Sequence, residues 1–251
     1  MNFAFALLPV VLLTGCRMTD FGPSDRYRTS FHYNFDLQPD ARVNLEGLNG
    51  PVEILGWDQN KAEISGEKYA STQAGLKSIR IDIHNDPHSV DIRTRVPSAR
   101  FGRLGVSFIV HVPNGVRLDR ITTSNGQIQV RDISGEANIR TSNSPIFLEN
   151  LKGAVDAKTS NGRVDISLRN APKNSIRAES SNGGITVRLP ADTGALIDAN
   201  TSNGSVSSDF NVARNSGDSR EARHHLSEVI GGGGPLIDLR TSNGSIKLLR
   251  R

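Results

Sequence analysis

The chain has 251 residues, with 30 Lys and Arg against 26 Asp and Glu; a formal charge of +4 on this length fits one large or two small domains with an ordinary soluble surface. Hydrophobic residues make up 36%, aromatics only 5%, and there are 24 glycines, so a disordered or collagen-like chain is excluded and small aliphatics must carry the core. One cysteine, Cys16, excludes an internal disulfide framework and a cysteine-based metal cluster.

The first 16 residues carry no charge, and the apolar run Phe3 to Leu13 is 11 residues long. That is too short to span a bilayer as a helix, which takes about 20 residues, but it suits the apolar region of a signal peptide. The run ends in Leu13-Thr14-Gly15-Cys16, which resembles a bacterial lipobox. The resemblance implies cleavage before Cys16, thioether attachment of diacylglycerol to its sulfur and acylation of the new amino group. Residues 1–15 are then a lipoprotein signal peptide, and 16–26 a lipidated tether giving stable attachment to a membrane. Met1-Asn2-Phe3 lacks the usual Lys or Arg, so an ordinary signal peptide with an incidental Cys16 stays open. Arg17, where an Asp would mark retention, favours the outer membrane if the cell is Gram-negative.

Residues 27–115 read as β-rich. Alternating apolar runs occur at Val43 and Leu45, Val52 and Ile54, Ile79 to Ile83, Val90 and Ile92, and Val106 to Val112, with a short helix or loop near 71–77.

From 116 to the C-terminus a repeat organises the chain. Thr-Ser-Asn-Gly begins at Thr123, Thr159, Thr201 and Thr241, with variants Thr141-Ser142-Asn143-Ser144 and Ser180-Ser181-Asn182-Gly183. The asparagines Asn125, Asn143, Asn161, Asn182, Asn203 and Asn243 are 18, 18, 21, 21 and 40 residues apart. Asn-Gly is a strong turn signal because both residues tolerate positive φ. Asn125, Gly126, Asn143, Asn161, Gly162, Asn182, Gly183, Asn203, Gly204, Asn243 and Gly244 are therefore expected to hold structural turns, the glycines in the left-handed region.

Aligned on the asparagine, the position four before it is Ile121, Ile139, Ala157, Ala178, Ala199 and Leu239; three after it stand Ile128, Ile146, Val164, Ile185, Val206 and Ile246. Apolar residues recur with period two on both sides, the mark of strands with one buried face. Asp119 and Ser208 break the outer columns. The extra residues of the longer units are expected around 170–174 and 190–194. The register also fits Asn49-Gly50, with Gly47 in place of the Thr. The 40-residue gap contains an insertion at 211–234, in which 218–230 is expected as a short helix and Gly231 to Gly234 as a glycine run.

Units of this size cannot fold alone, and stacking them would bring like residues into ladders. The expected fold is an all-β, β-solenoid-like stack of 18–21-residue repeats, with a sandwich of short meandering strands as the alternative. Asn49-Gly50-Pro51-Val52-Glu53-Ile54 with Gly56-Trp57-Asp58, Val112-Pro113-Asn114-Gly115, the Ser-Asn-Gly repeats, and Ile230 to Gly234 leading into Thr241-Ser242-Asn243-Gly244 resemble a bacterial β-strand-repeat family described as adhesins, a domain family of unknown function. The resemblance spans about 27–249 and implies a domain of the cell envelope.

Signatures of chemistry do not stand out. Gly231 to Gly234 lacks the Lys-Ser/Thr of a phosphate loop, and the histidines, among them His84, His88, His224 and His225, lack metal-ligand spacing. No metal, cofactor or catalytic residue is expected. A polysaccharide-cleaving enzyme would need clustered carboxylates; Asp156 and Asp165 flank a turn and are the closest such pair, while Asp198 and Asp238 lie farther apart in sequence. The cations are interleaved with acids and, apart from Phe147, lack outward aromatics in the repeats, which argues against nucleic acid. Lys247, Arg250 and Arg251 with Arg17 could favour anionic lipid. The function expected is a non-enzymatic, envelope-anchored adhesin or surface scaffold, its partners an envelope or surface component. A self-assembling unit is the alternative, paired through an exposed end strand such as the one ending at Leu248-Leu249.

Overall fold

In the computed structural model, the described residues are 26–96, 103–210 and 224–251. Among them the fold is nearly all β, with one short helix. Strands β1 (Tyr27–Asp36), β2 (Arg42–Glu46), β3 (Val52–Trp57) and β4 (Lys61–Ala70) precede α1 (Gln73–Ser78), which Thr72 caps by accepting from the Gly75 amide. Then follow β5 (Arg80–Asp86), β6 (Ser89–Arg95) and β7 (Leu104–Pro113). The repeats supply β8 (Arg117–Thr123), β9 (Ile128–Arg131), β10 (Ala137–Thr141), β11 (Ile146–Glu149), β12 (Val155–Thr159), β13 (Val164–Ser167), β14 (Ile176–Ser180), β15 (Ile185–Leu189), β16 (Ala195–Thr201) and β17 (Val206–Ser208). The chain closes with β18 (His225–Ile230), β19 (Leu236–Thr241) and β20 (Ile246–Arg250).

Each unit crosses between two sheets. The strand before the asparagine lies in one, in the order β18-β16-β19-β14-β12-β10-β8-β2-β6-β5; the strand after it lies in the other, in the order β1-β4-β7-β3-β9-β11-β13-β15-β20-β17. Within the repeats, equivalent strands pair in parallel and in register, Ile139 beside Ala157 beside Ala178 and Ile146 beside Val164 beside Ile185. A meandering sandwich needs antiparallel neighbours there, so the stack is solenoid-like. The apolar columns form one continuous core, with Ile121, Ile139, Ala157, Ala178, Ala199 and Leu239 all fully buried.

One irregularity is explained and one expectation needs correction. Asp119 breaks its column because a bulge shifts the register there, and Leu118, fully buried, takes the place opposite Ala137. Residues 225–230 are not helical: they form β18, antiparallel to β16, while 218–223 lie outside the described residues. The reversal into β19 is made by Gly231 to Gly234, all four at positive φ, a region that glycine enters without steric cost.

Stacking also departs from sequence order. The last unit, β19 and β20, inserts between β14–β15 on one side and β16–β17 on the other. The strand carrying Leu248 and Leu249 is thus paired on both edges and is not an end. The terminal strands are β1 and β5 at one end, β17 and β18 at the other.

Candidate functional site

The corner between the sheets is a continuous polar ladder. Asn125 donates its side-chain amide to Asn49 Oδ1, Asn143 to Asn125, Asn161 to Asn143, Asn182 to Asn161 and Asn243 to Asn182, each at 2.7 Å, and Asn203 to Asn243 at 2.8 Å. The order along the ladder is that of the stack, so Asn203 is at its end. Asn49 closes the other end by donating to Leu104 O. Its membership follows from the Asn49-Gly50 register.

Behind the asparagines runs a buried hydroxyl column. Thr141 Oγ1 donates to Gly126 O, Thr159 to Ser144 O, Ser180 to Gly162 O, Thr241 to Gly183 O and Thr201 to Gly244 O, each 2.7–3.2 Å. Thr123 donates to Leu48 O at 3.0 Å, and Gly47 lies against its side chain. The hydroxyl is needed because these carbonyls lie inside the corner, where an unpaired group costs about 1–3 kcal/mol.

The glycines do not have the conformation expected of them. Gly126, Gly162, Gly183, Gly204 and Gly244 are absent from the positive-φ residues, which among the described positions are Asp132, Asn150 and Gly231 to Gly234. What requires glycine is proximity: a Cβ on Gly162 would lie 1.9 Å from Ser144 O, and one on Gly183 would lie 1.8 Å from Gly162 O.

The outward faces carry paired charges. On the sheet of β12, Arg140 holds Asp156 at 2.7 Å, Lys158 holds Glu179 at 2.9 Å, and Arg177 joins Glu179. Hydrogen bonds from Lys158, reinforced by Arg177, hold the Glu179 carboxyl below the ordinary glutamate range. On the opposite sheet Asp165 takes Arg163 at 2.8 Å and Arg188 at 3.8 Å, and Arg163 covers the Phe147 ring at 5.0 Å. Asp156 and Asp165 therefore face opposite sides of the molecule, and the acid pair closest in sequence is not brought together. Asp198 and Asp238 are brought together, opposite each other in β16 and β19, but Arg240 lies against both, at 3.7 and 2.7 Å.

Two outward features were not read from the sequence. Trp57 stacks on His111, with centroids 5.1 Å apart. At the far end of the other sheet, Leu236, Leu196 and Val229 form a row across β19, β16 and β18, exposed by 46%, 43% and 59%. The signal was present: extending the outward parity of β16 and β19 by one more step reaches Leu196 and Leu236. Cys16 and Arg17 lie outside the described residues. Among the described residues no three His, Asp or Glu side chains gather as a metal site would need, and no helix is long and apolar enough to cross a membrane.

The architecture defines a class, a two-sheet parallel stack with an asparagine-lined corner. Residues 62–249 match the model of the Toastrack DUF4097 family, and the chain belongs to that family. No curated protein matches the sequence. Among solved structures, a putative cell adhesion protein from Clostridium sporogenes is 16% identical, with 89% of this chain and 100% of that one covered and a TM-score of 0.50. A putative adhesin from Bacteroides fragilis is 10% identical over 88% of this chain and 97% of that one, with a TM-score of 0.31. A putative lipid binding protein from Parabacteroides distasonis is 11% identical over 88% and 96%, with a TM-score of 0.30. The first of these has the same fold.

Proposed function

We propose that this chain is a non-enzymatic, lipid-anchored protein of the cell envelope that serves as an adhesin or surface scaffold and meets an envelope or surface partner at the end of the stack remote from its anchor. The observation that carries the reading is the exposed row of Leu236, Leu196 and Val229. It lies at the end of its sheet opposite to where the chain enters at β1. Ten strands at about 4.8 Å spacing separate the two ends by roughly 43 Å, enough to hold such a patch clear of a membrane surface. Apolar side chains grouped on an otherwise ion-paired face suit a partner contact. The anchor is assigned to Cys16 from Leu13-Thr14-Gly15-Cys16, with the outer membrane favoured in a Gram-negative cell.

The test places a photo-crosslinking residue at Val229 in the anchored chain, with one at Gln129 on the opposite sheet as control. Capture of an envelope component from Val229 alone, lost on Leu196→Asp, is the expected result. Equal capture from both sites, or none, would reject the patch as the contact. Separately, Cys16→Ser should abolish palmitate labelling and release the protein from membranes; an unlabelled wild type would reject the anchor. Release of product from envelope polysaccharides by the purified chain would reject the non-enzymatic reading.

A further inference from the structure

The two ends of the stack are finished differently. At the far end, β17 has three residues, and β18 turns Glu228 to the inner side opposite buried Ile197. A short edge strand and an inward-pointing charge are both devices that block edge pairing. At the near end, among the described residues, β1 is a ten-residue strand paired on one side only, and β5 likewise has one partner. The inner side of β1 carries Phe31, Tyr33 and Phe35, only partly buried against the core, with Ile81 and Ile83 of β5 in the same condition. Phe31 reaches across Gly66 to Phe108, and the rings of Tyr33 and Phe35 stack at 6.3 Å, so the seam is ordered yet left half exposed. No charge points inward from β1.

We propose that a second copy of this chain covers this end, β1 pairing antiparallel with the β1 of its partner about a two-fold axis at His32. The sequence of the strand is self-complementary in that register. Opposed residues share a face, so Arg28 meets the partner's Asp36, Ser30 the partner's Asn34, and His32 its own copy. On the inner side, Phe31 meets the partner's Tyr33 and Thr29 the partner's Phe35. Arg28 already holds Glu67 at 2.7 Å, and a guanidinium with five donors can take a second carboxylate. The end strand β5 has the same property: antiparallel about Ile83, Arg80 faces the partner's Asp86 and Asp82 the partner's His84. A face about 34 Å long and two sheets deep covers roughly 600 Å² per copy, close to the ~800 Å² of a standard interface. Because the far end is blocked, the assembly closes at two copies and does not grow into a fibre. This inference is independent of the anchor and of the adhesive patch.

The test uses the full chain in detergent. Sedimentation should give a dimer at micromolar concentration, and His32→Cys should form an interchain disulfide on mild oxidation, since opposed Cα atoms at about 4.5–5.5 Å lie within disulfide reach. Ser227→Cys on β18 and the parent chain with Cys16 alone should not crosslink. Asp36→Arg sets Arg28 against an arginine twice and should weaken the dimer at least tenfold, with Arg28→Asp/Asp36→Arg restoring it. A parent chain that stays monomeric at 100 times that concentration, a ladder of larger species, or equal crosslinking from Ser227→Cys would overturn the proposal.

Discussion

At the level of single residues, the repeat is explained by close approach. Ser144 occupies the glycine position of its unit without a positive φ, so the corner demands no left-handed residue, and one unit admits a side chain there. At Gly162 the neighbour in the way is a backbone oxygen of the adjacent unit, which cannot step aside without parting the strands. Gly162→Ala should therefore lower stability by about 2–3 kcal/mol, as overpacking does. Gly232→Ala, at φ +83 with open space around it, should cost only the ~1 kcal/mol of a left-handed alanine. Urea midpoints of the two variants check the order, and a larger loss at Gly232 would refute it. Thr159→Val keeps shape but leaves the Ser144 carbonyl and the Gly162 amide without their shared hydroxyl, and should cost about 1–3 kcal/mol in the same assay.

Glu179 gives a pH dependence of known sign. Its folded carboxyl is held below the ordinary value of 4.5, so its contribution to stability is present above that value and is lost as pH falls through the lower, folded one. Glu179→Gln should thus destabilise the protein at pH 7, and the deficit should shrink as pH falls below 4.5. A deficit that stays the same size on acidification would show that the charge is not the cause. The side chain is partly solvated, so the effect should be small.

At the level of elements, the order of the stack decides which strands are protected. Strands β19 and β20 come last in the chain but have partners on both edges, whereas among the described residues β17 is bonded on one side only. In amide hydrogen exchange the bonded amides of β20 should be as slow as those of β13, and those of β17 should be among the fastest in the repeats. Fast exchange throughout β20 would contradict the intercalated arrangement. The alternation of apolar residues made the repeat strands legible, because a period of two fixes which face is buried whatever the neighbour. It did not reveal that β18 is a strand: a six-residue edge element with Glu228 inside and Val229 outside has no clean period.

At the level of the whole molecule, the intercalated unit ties the end of the chain into the core. A chain ending at Gly234 leaves β16 and β17 without a parallel partner and takes one of two from β14 and β15, so it should fail to fold beyond the preceding units. A mere end-cap loss would leave a domain of nearly native circular dichroism and melting temperature. Among the functional features, the Asn corner could be read from spacing. The row of Leu196, Val229 and Leu236 was legible only in part: alternation reaches Leu196 and Leu236, but Val229 joins them only because β18 pairs antiparallel with β16.

Local pattern therefore determined a good deal by itself: the two-sheet unit, its corner of Asn, Thr and Gly, the aliphatic columns and the extension of the register to Asn49. These follow from side-chain alternation and from the requirement that identical units stack with like residues aligned. Only the tertiary structure decided the order of the stack, the reason for its glycines and the chemistry of its ends. A parallel unit pairs equally well with any neighbour that presents the same columns, so sequence adjacency does not dictate contact, and the steric conflict that demands glycine exists only once two units lie against each other.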